Sequence, residues 1–391
     1  MLPRLSRITL PALIVAAALA ACRVLVIGSP PAAIVLPRNE PAAIAPRFAD
    51  TRVVTDEQLV AVLARVSPPT KVHTNDTLHA LRLWGVQARF DDAGVPTGSE
   101  LRDYLLDDAA FRRLAGEAAP PLVDRGPGGI EVRSYDDRLT DRETSSYHTD
   151  DLIATLAEVG TPLDTPIFLR DGQATVGELL ATSLRRFHLE RLEYEWTAIA
   201  YARYVFPQPS WRNKYGERID IEDLVAELVG HPPASGPCNG LHRLEALAVL
   251  YRADEQFHAL RPRTKREVLD YMRRSSELLA RAQTPDGYWT REWPRGASAL
   301  SAGQTTTLHD KLLVTGHHLE WLALAPEEVQ PPRETVIRAA QWLARTLVEM
   351  DEQELHSAYG PYTHAARALC LWRGMEAWDA WQSLHPVSEQ P

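Results

Sequence analysis

The chain of 391 residues is 45% hydrophobic and 24% charged, the composition of a globular protein large enough for one sizeable domain or two smaller ones. Its formal charge of −10 supplies no broad basic surface for a phosphate backbone, so nucleic acid is excluded as an expected partner.

Chain order begins with a readable leader. Arg4 and Arg7 make a basic start, "ITLPALIVAAALAA" an apolar run, and small residues then precede Cys22. That pattern is an export signal. Leu19-Ala20-Ala21-Cys22 resembles the lipobox of bacterial lipoproteins, which implies lipidation of Cys22, a membrane anchor in the cell envelope and a body outside the cytoplasm. An uncleaved anchor continuing through "RVLVIG" is the alternative, with Arg23 placed unfavourably inside the span. The sequence thus divides into a signal with lipobox (1–22), a stiff Pro/Ala-rich tether (23–50), an N-terminal helical portion (51–147) and a main body (148–391). With Cys22 lipidated, Cys238 and Cys370 remain to pair, bind metal or stay as buried thiols.

From residue 51 onward helical periodicity dominates, and the expected class is all-α. The pattern predicts helices over 56–66, 75–88, 98–115, 149–159, 174–205, 220–229, 240–258, 263–283, 305–325, 332–350 and 361–382. Residues 118–147 are rich in Pro, Gly and Asp and read as an irregular insertion, either a lid or part of a separate small domain. Helices apolar on all sides, such as "LHRLEALAVLY" and "LLVTGHHLEWLALA", alternate with amphipathic ones such as "PRTKREVLDYMRRSSELLARAQ". Inner and outer helices taking turns predict an α/α toroid, a barrel of helical hairpins. Gln283, Asp286, Gly287 and Trp289 follow the order Q-x-x-D-G-x-W, which resembles the repeat of squalene cyclases and prenyltransferases. That resemblance implies the same toroid, with the Gln capping a helix and the Trp lying over the turn, while the aspartate-rich motifs of terpene cyclases are absent.

The candidate site rests on histidines that precede a charged residue by three positions, a spacing that puts both on one helix face. The pairs are His79 with Arg82, His188 with Arg191, His242 with Glu245, His317 with Glu320, and His364 with Arg367. His258 with Arg261 repeats the spacing at a helix end, as chance allows. If the helices converge on an axis, these pairs share one polar pocket, whose occupant is a small polar ligand. Three stretches resemble the N-acylglucosamine 2-epimerase family, which includes the cellobiose 2-epimerases: "NGLHRLEA" (Asn239, His242, Glu245), "TGHHLEW" (His317, Glu320, Trp321) and "GPYTHAAR" (Tyr362, His364, Arg367). The resemblance implies a sugar epimerase or isomerase in which His317 and His364 exchange a proton alpha to a carbonyl, with His242 as a third catalytic histidine. Glu245 and Glu320 would orient imidazoles, Arg367 would stabilise enediolate charge, and Asn239, Trp321 and Tyr362 would contact the sugar.

Two other classes stay open. Cys238, His242 and His317 form a donor set that zinc accepts, as in prenyltransferase-like toroids. A non-catalytic, lipid-anchored binding or scaffold module is the third reading, since one fold hosts many functions.

Overall fold

The computed structural model describes residues 34–70, 73–134, 143–191, 193–301 and 306–384. The export signal, Cys22 and the start of the tether lie outside the described residues. Among the described residues the helices are α1 (Asp56–Leu63), α2 (Thr74–Trp84), α3 (Gly98–Leu106), α4 (Asp108–Ala115), α5 (Asp151–Glu158), α6 (Val176–Arg186), α7 (Glu195–Tyr204) and α8 (Ile221–Gly230). They continue with α9 (Leu241–Phe257), α10 (Pro262–Ala282), α11 (Leu308–Leu324), α12 (Arg333–Glu349), α13 (Glu352–Ser357), α14 (Tyr359–Trp372) and α15 (Ala377–Leu384). The protein is mostly helical, as the periodicity predicts. The strands described form three antiparallel hairpins: β1 (Val123–Gly126) with β2 (Gly129–Val132), β3 (Pro166–Leu169) with β4 (Gly172–Thr175), and β5 (Ser210–Arg212) with β6 (Arg218–Asp220). No helix among the described residues is long and apolar enough to cross a membrane.

Two helix populations differ in what their sequences bury. In α9 every residue from Leu241 to Tyr251 is buried, and in α11 every residue from Val314 to Leu324. The amphipathic α10 instead buries a single stripe through Val268, Met272, Ser275 and Leu279. The fully buried helices pack in a closed order: α2 on α5, α5 on α7, α7 on α9, α9 on α11, α11 on α14, and α14 back on α2. Helices outside this set also meet, α8 on α10 and α12 on α1. One hydrophobic cluster runs from Ile44 to Ala380, so the helices of 51–147 share their core with the C-terminal ones.

Three long predicted helices are broken by local chemistry. At 98–115 the chain turns extended at Asp107, whose carboxylate accepts from the amides of Ala109 and Ala110 and starts α4. At 174–205 the helix ends at Phe187, and an eight-residue connection separates α6 from α7. At 361–382 the break falls at Gly374, with φ of 67°.

The irregular 118–147 segment carries β1 and β2 and is tied down at both described ends. The Ile130 amide donates to Thr182 Oγ1 of α6 at 3.1 Å, and the Thr74 amide donates to the Glu143 carbonyl at 2.7 Å. Residues 135–142, between these ties, lie outside the described residues. The Q-x-x-D-G-x-W turn is held by side-chain to backbone hydrogen bonds. Gln283 Nε2 donates to the Gly287 carbonyl at 2.8 Å and the Thr335 carbonyl at 2.7 Å, and the Trp289 indole N–H donates to Leu279 at 2.9 Å. The motif thereby locks the end of α10 onto the start of α12.

Candidate functional site

The closed order of buried helices brings their polar residues together in two layers. The first consists of imidazoles from α2, α9, α11 and α14. His79 Nε2 and His364 Nε2 are 3.1 Å apart, and the rings of His317 and His364 lie with centroids 3.7 Å apart, tilted by 33° to each other. His242 lies 5.1 Å from His317 by centroid, with Trp196 of α7 at 4.7 Å on its other side. His242, His317 and His364 are 2%, 2% and 4% exposed.

Backbone carbonyls fix the proton positions in this layer. His79 Nδ1 lies 2.7 Å from the Asn75 carbonyl and His317 Nδ1 lies 2.7 Å from the Leu313 carbonyl, each one turn back along its own helix. A carbonyl only accepts, so both Nδ1 atoms carry the hydrogen and both Nε2 atoms keep a bare lone pair. His364 Nδ1 lies 2.6 Å from Glu320 Oε2. Burial lowers all four imidazoles, His79 and His317 to about 3 and His242 and His364 well below the usual range, so the layer is uncharged.

Beneath it lies a layer of guanidinium and carboxyl groups. Arg82 Nε donates to Glu158 Oε2 at 2.6 Å, and Arg367 reaches Glu320 at 2.9 Å, Glu245 at 3.2 Å and Glu158 at 3.3 Å. Arg203 completes the group 3.8 Å from Glu158. Three guanidinium groups therefore face three carboxyl groups, and such pairing is how a protein retains charges out of water. Burial alone would raise Glu158, but the charges of Arg82, Arg367 and Arg203 outweigh it and hold the carboxyl at about 2. Burial and the Glu245 charge push Glu320 up to about 8 against Arg367 and Arg82. A protonated Glu320 can thus donate to His364 Nδ1, letting His364 Nε2–H donate to His79 Nε2. Even with that relay in place, His317 Nε2 and His242 Nδ1 are buried without a hydrogen-bond partner.

A second cluster sits where α5, α7 and α9 begin. His148 Nδ1 is 2.6 Å from Glu193 Oε1, and ligand atoms of His148, Cys238 and His242 all lie within 4.8 Å of one another. Burial lowers His148, but the neighbouring Cys238 and the Glu193 carboxylate raise it above the usual imidazole range. Cys238 occupies a turn in which Gly236, Cys238, Asn239 and Gly240 all have positive φ, at 97°, 46°, 60° and 73°.

Several sequence expectations are corrected here. His188 lies in the connection after α6, beside Tyr215 and away from both clusters, so its helix-face pairing with Arg191 does not form. The metal set expected from Cys238, His242 and His317 divides into two groups that share His242: one with His148 and Cys238, the other with His317 and His364. Cys238 and Cys370 are both free thiols and do not pair. Trp321 is fully buried and its indole donates to His318 Nδ1 at 3.0 Å, and the Tyr362 hydroxyl donates to the carbonyls of Val62 and Leu347. Neither presents a face to a sugar. Asn239 Nδ2 donates to the Arg291 carbonyl at 2.8 Å, outside the imidazole layer. His242, His317, His364, Glu245, Glu320 and Arg367 do converge. Four cavities among the described residues are lined by other side chains, one of about 410 Å³ by Asp150, Ser183, Arg186 and Arg191 among others.

No family model, no curated protein and no solved structure matches the chain. The site therefore rests on its own chemistry. His79 and Arg82 carried the helix-face spacing in the sequence; Glu158, His148 and Glu193 carried no signal there. His148 and Glu193 sit in connections, outside any helical periodicity, and only the packing of three helix starts brings them to Cys238.

Proposed function

We infer that the protein is an exported, lipid-anchored α/α toroid whose hub is a closed metal centre of the zinc class. The closed packing order of six buried helices supports the toroid, and the basic, apolar and Cys22-terminated leader supports export and anchoring. The observation that carries the metal is His317 Nε2: a buried lone pair with its tautomer fixed and no donor to meet it. With Glu320 ionised and His364 Nδ1–H donating to it, His364 Nε2 keeps its lone pair, and His317, His364 and His242 would hold the ion, with His79 Nε2 adjoining His364. Neutral imidazoles are the form in which histidine binds metal, so the burial that keeps these rings uncharged suits them to it. Glu320 behind His364 and the carbonyls behind His79 and His317 are the supports that orient such ligands. A zinc-class ion supplies the positive charge that several converging lone pairs lack and ties together helices far apart in sequence.

The epimerase-like reading needs a gap the size of a sugar between His317 and His364, and ring centroids 3.7 Å apart weigh against it. The test is elemental analysis of the purified protein. About one equivalent of a transition metal is expected, lost in His317→Ala. Protein that folds with no metal, takes up none from added zinc and isomerises sugars would overturn the proposal in favour of acid–base catalysis.

A further inference from the structure

The cluster at the starts of α5, α7 and α9 adjoins the hub through His242, but its thiol, His148 and Glu193 are not among the residues that would hold the hub metal. Each of these helices begins without a side-chain cap, whereas α1, α3, α6 and α8 all carry capping boxes. Backbone donors at the start of α9, beside Cys238, are therefore not taken by a capping side chain. The thiol is partly exposed, and the side chains of His148 and Glu193 are 19% and 15% exposed, so the group lies at the surface end of the buried helices. Glu193 occupies His148 Nδ1, which leaves Nε2 as the nitrogen for the thiol. A nucleophile, a base and a carboxylate that orients the base, contributed by three chain segments, form the arrangement that activates a weak nucleophile.

We propose that Cys238, His148 and Glu193 form a thiol acyl-transfer triad that accepts an acyl group from an ester, thioester or amide. His148 takes the proton of Cys238, and the sulfur attacks the carbonyl carbon. A C–S bond forms, the bond from carbon to the leaving oxygen, sulfur or nitrogen breaks, and the leaving group departs with the proton from His148. Water, activated by the same imidazole, then cleaves the thioester to a carboxylic acid and restores the thiol. Glu193 acts through His148 as a positioning residue. The inherently strained Cys238 backbone, at φ of 46°, holds the sulfur out of the helix that follows.

The experiment uses the full chain with p-nitrophenyl acetate at pH 7, before and after chelation, with peptide mass mapping of Cys22, Cys238 and Cys370. The expected result is a burst of one equivalent of p-nitrophenolate with an acetyl group on Cys238. Cys238→Ser abolishes the burst. His148→Ala slows acylation by about a hundredfold or more, the range of a positioned base. Glu193→Gln, which keeps the side-chain shape, slows it at least tenfold and moves the rise of its pH profile upward, with an unchanged melting temperature. Acetyl groups elsewhere, no burst in the parent, or a burst indifferent to His148 and Glu193 would overturn the triad. So would a burst that appears only after chelation, because Cys238 would then be a metal ligand. An absent hub metal, by contrast, leaves the expected burst unchanged.

Discussion

The interior of this protein holds more ionised groups than a hydrophobic core tolerates unless each is matched. Glu158 is the clearest case, since it accepts from Arg82 and Arg367 and lies within 3.8 Å of Arg203. Its spacing gave no sign of this, because its three partners come from three other helices, one of them more than two hundred residues away. Glu158→Gln leaves buried guanidinium groups without a counter-charge, and the expected loss is about 3–5 kcal/mol by urea denaturation. Acid should act on the same residue. Its folded pKa is depressed from 4.5 to about 2, so its contribution is present above pH 4.5 and is lost as pH falls from there toward 2. Thermal melts of the parent should decline through that window, and Glu158→Gln should lose part of the decline; parallel declines in both proteins would refute the assignment. The convergent histidines, in contrast, were legible from their three-residue spacing, because a helix places such residues on one face whatever surrounds it. Which of them face each other was not legible, since His188 had the spacing without the helix.

At the scale of elements, most helices could be read from periodicity, and the errors were of one kind. Periodicity continued across 98–115 and 174–205 because both flanking helices bury apolar faces, while the breaks came from single residues with local hydrogen bonds, as Asp107 shows. The small hairpins β1–β6 were unread because strands of three or four residues do not establish a period. The turn at Gln283 was legible because its residues have fixed tasks. Gly287 sits at φ of 109°, and a Cβ there would approach the Arg338 carbonyl oxygen to 2.5 Å. Gly287→Ala should therefore destabilise by about 1–3 kcal/mol from backbone conformation alone, with the clash against α12 adding to it. Chemical denaturation measures this, and a change below half a kcal/mol would mean that the turn can move away from α12 freely.

For the whole molecule, the decisive contact is the one that joins the two ends of the chain's buried helices. Five of the six contacts in the closed order link helices neighbouring within that series, whereas α14 must return to α2, nearly three hundred residues earlier. Such a contact forms against a large loop-closure entropy. His79 on α2 and His364 on α14 meet there at 3.1 Å, and His317 lies against His364, so an ion held at the hub would bear directly on this seam. A ligand that binds only the folded state stabilises by RT ln(1 + [L]/Kd), about 2.7 kcal/mol at a hundredfold excess over Kd. Chelation should therefore raise amide hydrogen exchange first in α2 and α14, ahead of α7 and α8, which hold no imidazole of the hub. Re-addition of zinc should reverse it, and His317→Ala should exchange like the chelated parent with or without zinc. Uniform acceleration across all helices would instead place the metal's effect outside the seam, because a clasp at one contact loosens its own helices before the rest.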